Sequence, residues 1–571
     1  MNTVITALAF SLVATGVAAA GEVWTYRVPG GEAMASPDYE VTIGAGGKVY
    51  RPFVQYSRGG KAYTRYRQKG QVLETRTYGE RGTAAHSAAT FSFRGKVTVR
   101  VTVRKGAEHI TLPLTGAKVL PSSYDIPCRI EEGNTIVFTL DQPEKVAVIP
   151  NHKKAWDVFV RRGQGHVPAQ SWKNEYQKEL NRESYHGRRL KAALSEGYKN
   201  PLIVLAHGPE ENVPDKAAAD TLVVRPGENV TQKRLDAAKT VWFVPGIHDL
   251  SKMGVDPWNQ VLVGGGQTIY LEGGSYVFAR FKGDKARGSG EAAIRGRGVI
   301  SGARHKWVLN FQEASQVIDI DTLTGVTITD RASFGIHGGR RIDDIAMLGA
   351  WHGNTDGPDY LDNCEITNSF LMAHDDNLKL NHNTRARHLV LWQLANAHAI
   401  MVKEMRDHVT FADSVVEDVD IIAYFKPPTS WKHPWGRLGP GAIACVTGSD
   451  LKVRNFTFRD IRIESPYVFR VFCIYNLDTN LPYTPKWFSP TSESRHTRID
   501  GITFRDITVD VPMIAYRSLL GSGYPGSLAN LHFVNVRING TVVTERNAET
   551  FFEIERDRVK GLSFSREPAE D

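Results

Sequence analysis

From Val326 onward the chain repeats a short alternation: apolar, any residue, apolar, any residue, then often Asp or Asn. It reads Val326-Thr-Ile328-Thr-Asp330, Ile345-Ala-Met347-Leu-Gly349, Cys364-Glu-Ile366-Thr-Asn368, Leu389-Val-Leu391-Trp-Gln393 and Val409-Thr-Phe411-Ala-Asp413. Spacings of 19, 19, 25 and 20 residues separate the leading positions. Further copies stand at Phe456-Thr-Phe458-Arg-Asp460, Ile502-Thr-Phe504-Arg-Asp506 and Leu531-His-Phe533-Val-Asn535. Alternation with period two marks a strand with one buried face. Its recurrence about every twenty residues marks a solenoid in which each coil lies on the last. The Leu-x-x-Leu-x-Leu signature of leucine-rich repeats is absent, and helical repeats need longer units, so the pattern predicts a parallel β-helix.

Before the repeats, the chain reads differently. Residues 21–150 contain short alternating runs, such as Val97-Thr-Val99-Arg-Val101-Thr-Val103, which predict half-buried antiparallel strands and a β-sandwich. The whole is thus an all-β chain, with an amino-terminal sandwich over 21–215 and a β-helix over 216–560. The sandwich either binds carbohydrate or braces the larger domain. Residues 170–197, rich in Lys, Arg, Glu and Leu, predict a helical insertion, and His207 to Asp220 reads as a linker. Coils are expected from Thr221.

Residues 1–20 combine an apolar run with Ala18-Ala19-Ala20 and read as a secretory leader, although no Lys or Arg precedes the run. The expected location is therefore extracellular or periplasmic. No later stretch is long enough to span a bilayer. A net charge of +8 over 571 residues is modest, and no Lys/Arg run marks a nucleic-acid partner. The chain is expected to be a monomer. Four dispersed cysteines form no zinc or disulfide framework; export permits a Cys445–Cys473 bridge, and Cys364, at a leading position, reads as a small buried hydrophobe.

The chemistry concentrates between His352 and Lys379. Asp356 lies eleven residues after Ile345, and Asp375 lies eleven after Cys364. Equal offsets stack the two on neighbouring coils, about 4.8 Å apart along the helix. Asp376 adjoins them. Like charges at that distance resist ionising together, so a patch of three carboxylates is unfavourable unless it has a function. Around it, Trp351, Asn354, His374, Lys379 and His398 are candidate substrate contacts, Lys379 and His398 being equally readable as structural. Long spacings after Val409 predict aromatic loops holding Tyr424, Trp431 and Trp435 in one and Tyr475, Tyr483 and Trp487 in another. Such rings either wall a saccharide cleft, Trp431 and Trp435 foremost, or pack their own loops. His352 and His374 flank the aspartates, but the reading calls for no metal and no cofactor.

These residues carry a resemblance. Asn354-Thr-Asp356-Gly357, Asp375-Asp376 and Leu378-Lys379-Leu380 resemble the active-site core of the right-handed parallel β-helix glycoside hydrolases. Family 28, the polygalacturonase-like enzymes, adds Gly-His-Gly and Arg-Ile-Lys. Here Ala397-His398-Ala399 is a degenerate form of the first, and the second is missing. Family 49, the dextranases and isopullulanases, is similar over more of the chain. Its members carry an amino-terminal sandwich and an Asp-Gly-Pro-acidic element like Asp356-Gly357-Pro358-Asp359, and Phe243-Val-Pro-Gly246 is also similar to theirs. The resemblance implies a polysaccharide substrate, dextran or another α-glucan first, with galacturonan or a sulfated glycan as the alternative. It also implies inversion, with Asp375 as general acid and Asp356 with Asp376 holding water. A direct stack is nearer the spacing of retaining than of inverting enzymes, so the splay of the side chains decides. Two other classes stay open: a Ca²⁺-dependent polysaccharide lyase, and a non-catalytic polysaccharide-binding β-helix.

Overall fold

The computed structural model describes residues 21–567 except 58–61, 67–71, 78–85, 153–195, 255–257, 306, 309–311, 350–354, 395–397, 403–407, 425–440, 478–491, 513 and 515. The leader-like segment, residues 170–195 of the expected helical insertion, Trp351, Asn354, Trp431 and Trp435 lie outside the described residues; residues 196 and 197 fall in the short helix Glu196–Lys199.

Two sheets face each other in the amino-terminal part. One contains Glu22–Thr25, Val54–Ser57, His86–Arg94, Ala117–Leu120, Lys145–Pro150 and Leu202–His207; the other contains Tyr39–Ala45, Lys48–Tyr50, Val97–Val103, Cys128–Glu131 and Thr135–Leu140. Alternation along Val97–Val103 sends Val97, Val99, Val101 and Val103 inward, against Val41, Phe91, Phe93 and Phe138. Lys145–Pro150 and Leu202–His207 show no alternation, being buried throughout. Both their faces are covered, one by the sandwich core and the other by the β-helix. Ala147, Ile149, Ile203 and Leu205 pack there on Ala346, Leu348, Phe370, Met372, Val390 and Trp392. His207 is therefore a correction to the linker reading. It closes a buried strand, and its Nδ1 lies 2.9 Å from Asp344 Oδ1.

Parallel coils run from Thr221–Val224 in one continuous 22-stranded path, with two shorter sheets, of four and six strands, forming the remaining face. The Asp/Asn that ends each repeat has a simple cause. Asp330, Asn368, Asp413, Asp460, Asp506 and Asn535 all have φ between 49° and 61°, the left-handed region that Asp and Asn tolerate better than other side chains. Asp330, Asp413 and Asn535 turn the corner between strands, and Asn368, Asp460 and Asp506 bend a continuous one. Asn535 Nδ2 donates to Asp506 Oδ1 one coil below, at 2.9 Å.

Third positions of the repeats form an internal aromatic ladder. Phe504 stacks on Phe458 at 5.1 Å and on Phe533 at 4.8 Å, and Phe533 stacks on Phe564 at 4.9 Å. Aromatic pairs contribute about 1 kcal/mol beyond their buried area. Phe504→Leu is accordingly expected to lower stability in urea melts by about 1–2 kcal/mol, and an unchanged midpoint would contradict the ladder's role.

One expected register is corrected. Ala346–Met347 pairs with Phe370–Leu371, whereas Arg341–Asp343 pairs with Glu365–Thr367. The repeats led by Ile345 and Cys364 therefore belong to different columns, and their spacing of 19 does not measure a coil. The cysteines are free. Cys445 pairs with Ile474 and Ala444 with Cys473; one thiol faces the inner core and the other the outside of the same sheet.

Candidate active site

Asp356 stands on the chain between Ile336–His337, of the four-stranded sheet, and Leu378–Leu380, of the six-stranded sheet, into which Asp376 leads. Gly357 N donates to Asp376 O at 2.7 Å and Lys379 N to Pro358 O at 3.0 Å. This ladder sets Gly357 over Asn377 and hence Asp356 over Asp376, so the partner in the stack is Asp376 and not Asp375. Gly357 is required here: a Cβ would stand 1.5 Å from the Asn377 carbonyl oxygen. Asp375 comes one residue earlier, and the three carboxylates lie within 4.8 Å of one another, all buried.

Lys379 supplies the opposing charge. Its Nζ contacts Asp356 Oδ2 and lies 3.8 Å from Asp359 Oδ2 and 3.8 Å from Asp376 Oδ2. It also sits 5.1 Å from the centre of the Phe334 ring. Burial raises the pKa of Asp356 well above the usual carboxylate range; Lys379 opposes the rise, while Asp375 and Asp376 add to it. Lys379 is raised in turn: burial pulls it down, but Asp356, Asp359 and Asp376 outweigh burial, so the ammonium stays charged. Among the described residues, Asp356 Oδ1 and Asp376 Oδ1 are buried without a hydrogen-bond partner, and unsatisfied acceptors of this kind are stabilised by a ligand or water that donates to them.

His398 stacks beyond Asp376, because Asn377 N donates to His398 O at 2.9 Å. With His398 Nδ1 3.0 Å from the Gly441 carbonyl, a donated Nδ1–H leaves the acid–base chemistry of the ring to Nε2. His374 is half-buried beside Asp375, at the end of Glu365–Ala373. Two aromatics of the expected loops are corrected: Tyr424 and Tyr475 end buried strands and pack in cores. Side-chain direction decides this: Tyr475 continues the in–out alternation of its strand, and Tyr424 is turned into the inner core by a bulge after Ile421.

Asp359, His337 and Tyr360 were not picked out as site residues by sequence. Asp359 occupies the outward column between His337 and Lys379, and His337 Nδ1 lies 2.9 Å from its Oδ1. The Tyr360 ring packs on His337 at 4.4 Å and borders a cavity of 520 Å³ lined also by Lys285, Asp319, Asp321, Arg340 and Asp362. The signal available in the sequence was the offset from Asp359 to Lys379, the same twenty residues that separate Asp356 from Asp376.

Buried aspartates around one lysine, on a β-helix backed by a sandwich, form a carboxylate site of the kind that glycoside hydrolysis uses. Comparison with known proteins places the chain as family 49-like. It is 24% identical to an isopullulanase of Aspergillus niger over 404 residues, 59% of this chain and 69% of that protein. It is 25% identical to a dextranase of Arthrobacter globiformis over 222 residues, 34% of each chain. The dextranase match thus spans about a third of that enzyme's length. Dex49A from Penicillium minioluteum shares the fold, with a TM-score of 0.66 over 95% of both chains at 15% identity. No family model matches.

Proposed function

We propose that the chain is a secreted, monomeric glycoside hydrolase that cleaves an α-glucan, dextran foremost, with inversion at the anomeric carbon. The carrying observation is the triad Asp356, Asp375 and Asp376 within 4.8 Å. The carboxylates do not splay to the ~6.5–9.5 Å usual for inverting enzymes, so inversion is carried by the family 49 resemblance and not by the spacing. Glycoside hydrolysis requires one carboxylic acid to protonate the leaving oxygen and a carboxylate to activate water. Lys379 contacts Asp356 and approaches Asp376, and its charge opposes the rise that burial imposes on Asp356. Oxygens up to 4.8 Å apart are bridged by one water at ordinary hydrogen-bond lengths, so these two carboxylates hold the nucleophile. Asp375, the remaining carboxylate, is then the acid, the role that the family 49 resemblance implies. The similarity to isopullulanase and dextranase supports an α-glucan. The leader-like residues 1–20 support secretion. We also infer two folding units, 21–215 and 216–560, each with its own core.

The test is turnover on dextran, pullulan, polygalacturonate and sulfated algal glycans, with the product anomer followed by NMR. Reducing ends from dextran or pullulan, first as the β-anomer, are expected. An initial α-anomer overturns inversion, release from polygalacturonate alone overturns the α-glucan, and unsaturated products or no release overturn the hydrolase.

A further inference from the structure

The sandwich does more than cover apolar surface. Its contact with the β-helix falls on the strands that lead directly to the catalytic aspartates. Leu348 and Met372, both packed against the sandwich, precede Asp356 and Asp375 by eight and three residues. At this junction stands the dipeptide Asp330-Arg331. Asp330 turns a corner with φ 50°. Its Oδ1 accepts a hydrogen bond from the hydroxyl of Ser57 in the sandwich, and Tyr276 Oη and Ser301 Oγ approach Oδ2 at 3.4 Å each.

Arg331, the next residue, is fully buried and, among the described residues, meets no carboxylate in an ion pair. Its guanidinium is spent on main-chain carbonyls instead. Nη2 donates to Gly349 O at 2.9 Å, Met372 O at 2.8 Å and Thr355 O at 3.4 Å; Nη1 donates to Asp356 O at 3.2 Å. Four carbonyls on two successive coils thus converge on one planar fork, including that of a catalytic aspartate. Space for the fork is kept by Gly335, where a Cβ would stand 2.9 Å from Arg331 Nη1 and 3.1 Å from Asp356 O. The sandwich reaches the same fork by a second route. Gly349 has φ 74°, and a Cβ there would stand 2.9 Å from His86 Cε1 and 3.3 Å from Ser57 Oγ. Ser57 and His86 therefore press on the residue whose carbonyl Arg331 holds.

We infer that Arg331 is a positioning residue for the catalytic aspartates, and that the sandwich braces it through Ser57, Asp330 and Gly349. The inference rests on the hydrolase reading for its kinetic test. A lysine carries its three donors on a single nitrogen where arginine spreads five over a planar fork, so Arg331→Lys keeps the charge and loses the simultaneous hold on two coils. Misplacing a catalytic group by about 1 Å costs on the order of 10²-fold. The expected result for Arg331→Lys is a fall in kcat of about 10–100-fold with KM little changed. Ser57→Ala, a milder change that keeps the fold within reach if Arg331→Lys does not fold, is expected to lower kcat about 3–10-fold, again at constant KM. The control is Lys118→Ala, which removes a sandwich–helix ion pair with Glu464 at 3.1 Å far along the interface; it should leave kcat unaltered. Wild-type kcat in folded Ser57→Ala overturns the brace. Equal losses in Ser57→Ala and Lys118→Ala also overturn it, because docking alone would explain them. If the wild type hydrolyses no glycan, the hydrolase reading falls and the brace is judged by crystallography of Ser57→Ala: a shifted Asp356 carbonyl supports it, and unmoved aspartates overturn it.

Discussion

Asp375→Asn is expected to lower turnover of dextran by about 10²–10⁴-fold, the usual contribution of general acid–base catalysis, with no loss of thermal stability. The amide keeps the shape of the carboxyl and removes only its titration. The sharper measurement uses a leaving group that needs no proton. An isomaltosyl fluoride expels fluoride unaided, so Asp375→Asn should hydrolyse it at close to the wild-type rate, while Asp356→Asn and Asp376→Asn should not, having lost the hold on water. The burial that raises the pKa of Asp356 makes the outcome informative. If fluoride hydrolysis survives in Asp356→Asn and fails in Asp375→Asn, the protonated carboxyl is Asp356 and the two roles exchange.

A second large effect is expected far from the site. Asp344 joins the sandwich to the β-helix: its Oδ1 contacts Lys145 Nζ and lies 2.9 Å from His207 Nδ1, and its Oδ2 lies 2.9 Å from Arg297 Nη1. Lys145 and His207 come from the sandwich, Arg297 from the β-helix. Removing one member of a buried ionic group leaves its partners uncompensated, at about 3–5 kcal/mol. Asp344→Asn, which retains a side chain suited to the local φ of 56°, is expected to lose about that much in urea melts. The pH dependence follows from the same contacts. Burial works to raise the Asp344 pKa, but His207, Lys145 and Arg297 together hold it well below the usual range. That contribution is present above the unfolded pKa of about 3.9 and is lost as pH falls further. His207 is pushed down to about 4, chiefly by burial, and His305 to about 3 by burial and then Arg280. Unfolded histidines take up protons near pH 6.5, so stability should fall as pH drops from there towards 4. A melting temperature constant between pH 6.5 and 4 would contradict this.

The fold was largely legible because its cause is periodic. Val97–Val103 alternates since one face is wet, and the Asp or Asn after each repeat reports a left-handed corner. Register was less legible. The same apolar-x-apolar motif occurs in two columns of one coil, so Ile345 and Cys364 looked equivalent when they are not, and Asp356 was matched with Asp375 where Asp376 is its neighbour. The catalytic carboxylates were visible as an unfavourable crowd. Arg331 was not, because an arginine that serves only main-chain carbonyls leaves no mark on side-chain patterns. Asp344 was hidden for a related reason: its three partners are 199, 137 and 47 residues away in sequence, and no local pattern encodes an interface.

The left-handed corners have a consequence for how such a protein can change. Rung-to-rung spacing grows from 19 residues between Thr327 and Ala346 to 24 between Ala346 and Phe370 and 46 between Ile461 and Ile507. The strands stay paired throughout, since each corner resets the chain's direction whatever length preceded it. Turn length is thereby uncoupled from the stack. A library that lengthens or exchanges the turns while leaving every corner Asp and Asn in place would search for new glycan preferences on an unchanged chassis, with the catalytic aspartates carried along as a fixed cassette.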